Sequence, residues 1–89
     1  MSNIKTRSIN FTVLYGVVLK KNKNSLTIDY GKGKIKVLLD EIEEDASSIE
    51  VNYTISLSGY IKQGWIKTNI VAQSISIFDK NPHFINFDN

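Results

Sequence analysis

From Ile9 to Leu19 the chain places an apolar side chain at every second position: Ile9, Phe11, Val13, Tyr15, Val17 and Leu19. A period of two puts all six on one face of a strand, with Asn10, Thr12, Leu14, Gly16, Val18 and Lys20 on the other. The strand is long, and Gly16 in its middle predicts a bend or bulge. Lys20–Ser25 is polar and reads as a turn. Leu26, Ile28 and Tyr30 then alternate with Thr27 and Asp29. Gly31-Lys32-Gly33 marks a tight turn, after which Ile35, Val37 and Leu39 face inward and Lys34, Lys36 and Leu38 outward. These two segments read as a hairpin.

The period changes between Asp40 and Ile49. Ile42, Ala46 and Ile49 follow an i, i+4, i+7 spacing, which predicts a helix of two to three turns with Asp40 as its N-cap. Strand alternation returns from Val51 to Lys62. Val51, Tyr53, Ile55, Leu57, Gly59 and Ile61 share one face; Asn52, Thr54, Ser56, Ser58, Tyr60 and Lys62 share the other. Gln63-Gly64 makes a turn. The last strand, Trp65 to Phe78, starts with Ile66, Ile70 and Ala72 in phase and shifts to Ile75 and Ile77, so a bulge is expected near Gln73-Ser74. Asn81-Pro82 ends it. The domain is therefore expected to span residues 1–82, with His83–Asn89 as a tail carrying Phe84, Ile85 and Phe87. Such a tail either folds back on the domain or docks on another subunit or partner.

Composition narrows the function classes. At 42% hydrophobic and 22% charged residues, an 89-residue chain makes one globular domain with a modest core. The chain has no Cys, which removes disulfides, thiol catalysis and thiolate metal sites. His83 is the single histidine, so no metal site is expected, and no Lys or His stands near the carboxylates to form an acid–base pair. The expectation is a protein that is not an enzyme and needs no cofactor. No stretch approaches the roughly 20 apolar residues that cross a bilayer. Met1–Asn10 lacks a hydrophobic leader region, so a cytoplasmic protein without a membrane partner is expected.

Charge changes the picture further. Six of the nine acidic residues lie between Asp40 and Glu50, a stretch without Lys or Arg. Elsewhere eleven basic side chains stand against three acidic ones, Asp29, Asp79 and Asp88. The net charge of +2 thus hides a basic body beside an acidic segment, and a basic body points to a polyanion. The plain reading of the acidic segment is a solvated helix face with favourable N-terminal electrostatics.

Strand, strand, strand, short helix, strand, strand is the order of an all-β, five-stranded OB-fold Greek-key barrel with one short helix between strands three and four. A small SH3-like barrel is the runner-up; it lacks a natural place for that helix. Ile55–Ile61 and Ile70–Asp79 resemble the end of bacterial single-stranded-DNA-binding proteins and the related primosomal replication protein. There a V-x-G-x-I strand precedes V-x-A-x-x-I-x-x-L; Gly59 and Ile61 match the first pattern, and Ile70, Ala72, Ile75 and Phe78 the second. Gly16-Val17-Val18 with Gly33–Val37 is similar to nucleic-acid-binding OB domains in general and to small periplasmic OB proteins. The chain departs from the first family in being shorter, in the tight hairpin between its second and third strands, and in a tail that is not an acidic docking tip.

Binding single strands requires cations along the phosphates and flat side chains beneath the bases. Lys20, Lys21 and Lys23 fall in the first loop, Lys34 and Lys36 on the outward face of the third strand, and Lys62 and Lys67 around the last turn with Tyr60 and Trp65. These nine residues form the expected nucleic-acid site. Trp65 has two readings, a plug for the barrel end or a stacking platform. Tyr60 points outward by phase; Tyr15, Tyr30 and Tyr53 follow inward phases and are expected in the core. The expected activity is binding of single-stranded DNA, or RNA, as a replication or mobile-element accessory factor. The alternative is a protein-interaction OB module, a subunit or inhibitor, using the acidic helix 40–50, the polar fourth-strand face or the tail 83–89, with self-association left open.

Overall fold

A computed structural model of the chain describes residues 10–80, which form five strands and no helix. They are β1 (Phe11–Lys21), β2 (Ser25–Asp29), β3 (Lys34–Leu38), β4 (Thr54–Gln63) and β5 (Thr68–Asp79). β1 pairs antiparallel with β4 from Phe11 to Val17 and with β2 from Val17 to Lys21, so it changes partner at one residue. β2 and β3 form a tight hairpin, as do β4 and β5. Lys36–Leu38 of β3 run parallel to Asn69–Val71 of β5. The order β1-β2-β3-β5-β4 closes on β1, giving an all-β, five-stranded barrel consistent with an OB-fold. Ile9, the Asn81-Pro82 boundary and the tail His83–Asn89 lie outside the described residues.

Two glycines mark where neighbouring strands of the barrel crowd each other, β4 with β5 and β1 with β2. A Cβ on Gly59 would lie 2.2 Å from the Val71 carbonyl oxygen and 2.9 Å from Ala72 Cα. One on Gly16 would lie 2.8 Å from both the Asp29 carbonyl oxygen and Ile28 Cδ1. Gly16 thus sits where β1 leaves β4 for β2 and a side chain has no room; the register irregularity of β1 falls at Leu19, between Val18 and Lys20, rather than at Gly16. The bulge expected in β5 is present: Ser58 pairs with Ser74 and Gly59 with Ala72, leaving Gln73 as the extra residue. Around these close approaches Val18, Leu26, Ile28, Val37, Ile55, Leu57, Ile70, Ala72 and Ile75 fill the interior.

The inward phase expected of β1 is reversed. Thr12, Leu14, Gly16 and Val18 face the interior, and Phe11, Val13, Tyr15 and Leu19 are exposed. The strand is apolar on both faces, so alternation alone could not choose. Space decides: the wall at Gly16 has no room for a Cβ, and a column of large rings does not fit beside it. Tyr15 is thus not a core residue, whereas Tyr30 and Tyr53 do pack against the core.

The helix expected between Asp40 and Ile49 does not form. Asp45 Oδ1 accepts the Ser47 N–H at 2.9 Å, and Ile49 N–H and Tyr53 N–H each bond a carbonyl three residues back. Asn52 takes a left-handed φ of 79°. The acidic side chains are tied sideways to β5: Gln73 Nε2 donates to Glu41 Oε1 at 2.7 Å, and Ser74 Oγ to Glu44 Oε2 at 2.9 Å. Asp and Ser favour such local bonds over helix. Ile42, Ala46 and Ile49 still turn toward the core, with Ile49 buried. The periodicity identified the docking residues and misjudged the backbone between them. Val51 and Ile66, expected inward, are exposed in turns.

Gly59→Ala should lower barrel stability by about 1–3 kcal/mol, because backbone rather than a flexible side chain must yield; urea unfolding followed by far-ultraviolet circular dichroism measures it. Glu44 and Asp45 hold their protons below the ordinary carboxylate range. Backbone N–H groups stabilise the Glu44 carboxylate first, then the Ser74 hydroxyl; the Ser47 N–H and hydroxyl do the same for Asp45. A depressed folded-state value gives stability that is present above the unfolded value and is lost as pH falls through the folded one. The urea midpoint should therefore fall on acidification below about pH 4, and fall less in the Glu44→Gln/Asp45→Asn variant.

Candidate nucleic-acid interface

Barrel closure lines up residues that are far apart in sequence. Lys20 of β1 pairs with Thr27 of β2, Thr27 with Lys36 of β3, Lys36 with Asn69 of β5, and Asn69 with Lys62 of β4. One transverse row therefore crosses all five strands, with lysine on β1, β3 and β4. Strands lie about 4.8 Å apart, so successive lysines of the row start roughly 10 Å apart along the curved sheet. Lys20, Lys36 and Lys62 are all exposed. Lys34, one step along β3, and Lys67, just before β5, line the same shallow groove as Lys20, Lys36, Asn22, Thr27 and Asn69.

The turn at the end of β2 keeps this face in shape. Asp29 Oδ1 accepts the Gly31 N–H at 2.9 Å, and the Tyr30 N–H bonds the Gly33 carbonyl at 3.1 Å. Gly31 and Gly33 adopt φ of 98° and 147°, which side-chain-bearing residues rarely take. Asp29 is the carboxylate nearest in register to Lys34, yet its oxygen is turned to the turn backbone. None of Lys20, Lys34, Lys36, Lys62 or Lys67 has a carboxylate partner among the described residues. Asn69 Oδ1, between Lys36 and Lys62, is buried with no hydrogen-bond partner.

Five of the seven lysines expected in the site thus share one face, and two do not. Lys21 is drawn to the acidic segment: its Nζ donates to the Ser47 carbonyl at 3.0 Å and lies 3.8 Å from Glu50 Oε2. Lys23 lines a separate cleft with Glu44 and Asp45. Only Lys23 lies in the loop expected to hold Lys20, Lys21 and Lys23; Lys20 and Lys21 end β1 and pair with β2, and the other side of that loop meets the acidic residues. Sequence placed all three lysines together because it could not see that loop's two neighbours.

The aromatic residues divide in the same way. Trp65 is fully exposed at the tip of the β4–β5 turn, next to Ile66, and the Gly64 N–H to Lys67 carbonyl bond of 2.9 Å closes that turn beneath them. It does not plug the barrel. Tyr60 is outward, as expected, but stands edge-to-face against Phe11 at 5.0 Å, two residues from Lys62 on the same face of β4. Thr27, Asn22 and Asn69 were missed by sequence reasoning. Their signal is the register across the closed sheet, which no local pattern carries. Among the described residues no group of three or more His, Asp or Glu side chains is placed to hold a metal ion.

No family model and no curated protein matches the chain. Solved structures do. The hypothetical protein ygiW from E. coli superposes with a TM-score of 0.63 at 17% identity, covering 81% of this chain and 78% of that one. A chain in the structure of a Replication Protein A heterotrimer bound to ssDNA superposes with a TM-score of 0.66 at 20% identity, over 80% of this chain and 59% of that chain. At these identities the likeness is one of fold.

Proposed function

We propose that the barrel binds single-stranded nucleic acid, single-stranded DNA foremost, along the transverse lysine row. The single observation that carries this reading is the alignment of Lys20, Lys36 and Lys62, with Lys34 and Lys67 beside them, on a face where none has a carboxylate partner among the described residues. Ammonium groups spaced along a groove suit a flexible polyanion. Trp65 supplies a flat, solvent-facing ring next to Lys67, able to stack on a base. Tyr60 contributes less, because its ring is already engaged with Phe11.

Two further observations support the reading. The similar Replication Protein A chain belongs to a structure bound to ssDNA. The β4–β5 hairpin also resembles in sequence the end of bacterial single-stranded-DNA-binding and primosomal proteins, at positions that are mostly interior: Ile70, Ala72 and Ile75. A replication or mobile-element accessory role is the setting in which such an activity fits. The alternative, a protein-interaction module, gains less from the acidic segment, where Glu41 and Glu44 are engaged by Gln73 and Ser74. Its better basis is the uncharged aromatic face of β1, β4 and β5.

Titration of labelled oligo-dT by fluorescence anisotropy at several salt concentrations tests the proposal. The logarithm of affinity should fall with the logarithm of salt at a slope of about −2 to −3.5, near −0.7 per phosphate neutralised. Lys36→Ala should reduce that slope by about 0.7, while Lys21→Ala, already held by Ser47 and Glu50, should leave it nearly unchanged. Trp65→Ala should weaken binding about ten-fold with the slope retained. No binding at low salt, or equal effects of Lys36→Ala and Lys21→Ala, overturns the reading.

A further inference from the structure

Past Tyr60 the outer surface formed by β1, β4 and β5 is largely uncharged, with Glu44 bonded to Ser74 at its β5 edge. Phe11, Val13 and Tyr15 of β1 stand opposite Tyr60, Ser58 and Ser56 of β4. Ser58 and Ser56 in turn stand opposite Ser74 and Ser76 of β5. The result is a grid with rings at both ends and small hydroxyls in the middle. Phe11 meets Tyr60 edge-to-face at one end; Tyr15 meets Phe78 at 5.3 Å and an interplanar angle of 80° at the other. Ser56 and Ser76 hydroxyls bond each other at 2.9 Å. Exposure is high: Phe11 51%, Val13 61%, Tyr15 55%, Tyr60 40% and Phe78 66%. Taking 150–250 Å² for each aromatic side chain, these residues present roughly 500 Å² of apolar surface. That is toward the upper end for one contiguous patch on a monomer, about 300–600 Å².

We propose that this face packs against the same face of a second copy of the chain, about a twofold axis that passes near Val13 and Ser58. The charge pattern favours a copy. Tyrosine phenols aside, the ionisable group that reaches the grid is Glu44, held by the Ser74 hydroxyl at its β5 edge; over the rest two identical faces meet without like-charge repulsion, whereas a strongly basic or acidic partner finds little there to pair with. Self-pairing through the lysine row or the acidic segment would set like charges together. The arrangement favours a twofold. An axis lying in the interface and crossing the strands places the Phe11/Tyr60 end of one copy over the Tyr15/Phe78 end of the other, ring against ring, with the serines central. Two sheets so arranged pack face to face in an aligned sandwich. Area is sufficient and no more: roughly 500 Å² from each copy gives about 1,000 Å² in total, the lower bound for a specific interface. The pairing leaves both lysine rows open, and it does not depend on nucleic-acid binding.

Sedimentation velocity of the full chain over a concentration series, without nucleic acid, tests the pairing. The mass should rise from that of one chain to that of two, and no further. Val13→Lys brings two ammonium groups together at the axis and should hold the protein at the mass of one chain, with an unchanged far-ultraviolet spectrum because Val13 is outside the core. The chain has no Cys, so Val13→Cys under mild oxidation should give one cross-linked dimer, while Lys32→Cys in the β2–β3 turn should not. A wild-type protein at single-chain mass throughout overturns the proposal. So does a dimer that survives Val13→Lys, which assigns the contact to another surface. If Phe84→Ser/Phe87→Ser turns a single-chain protein into a dimer, the tail covers this face in the wild type, and the proposal is again overturned.

Discussion

The tight curl of the sheet governs where everything else goes. At Gly59 and Gly16 neighbouring strands of the five-stranded barrel, β4 with β5 and β1 with β2, crowd so closely that even a methyl group would collide with backbone. A barrel of five strands holds branched aliphatic side chains and little else. Its interior is accordingly filled by Val, Leu and Ile from all five strands, with Ala72 where β4 and β5 come closest. The rings that β1 carries have no place inside. They are turned outward, and the outer surface acquires an apolar region because of what the interior refuses.

The same closure organises charge. Residues separated by dozens of positions become neighbours when β3 runs alongside β5 and β4 returns to β1. Lysines that look scattered in sequence fall into one row, while the acidic segment is drawn to the other side of β5 by Gln73 and Ser74. Lys21 is the hinge of this separation: it leaves the basic face to meet Glu50 and the Ser47 carbonyl. Exposed ion pairs add little stability. Their effect here is to partition the surface so that the basic face carries few opposing charges.

How much of this was legible depended on whether the deciding interaction was local. The hairpins, the Gln73 bulge and the inward phases of β2, β3 and most of β4 follow from alternation and turn residues, which act over a few positions. The outward Lys34 and Lys36 followed for the same reason. The phase of β1 did not, because Leu14 and Val18 are as apolar as Val13 and Tyr15, and only interior volume distinguishes them. The segment from Asp40 to Ile49 showed helical spacing, but its conformation is set by side-chain bonds to β5 and by the Asp45–Ser47 turn. Asn69 and Thr27 became visible as part of the row only through strand register, a property of the closed sheet.

The chain's only tryptophan lies wholly in solvent at a loop tip, away from every packed side chain. Indole emission in this molecule is therefore decoupled from the cooperative melting of the barrel: the chromophore is already hydrated before denaturation begins. A change in that signal reports the surroundings of the loop rather than whether the core is intact, so tryptophan emission in this protein is nearly silent to folding.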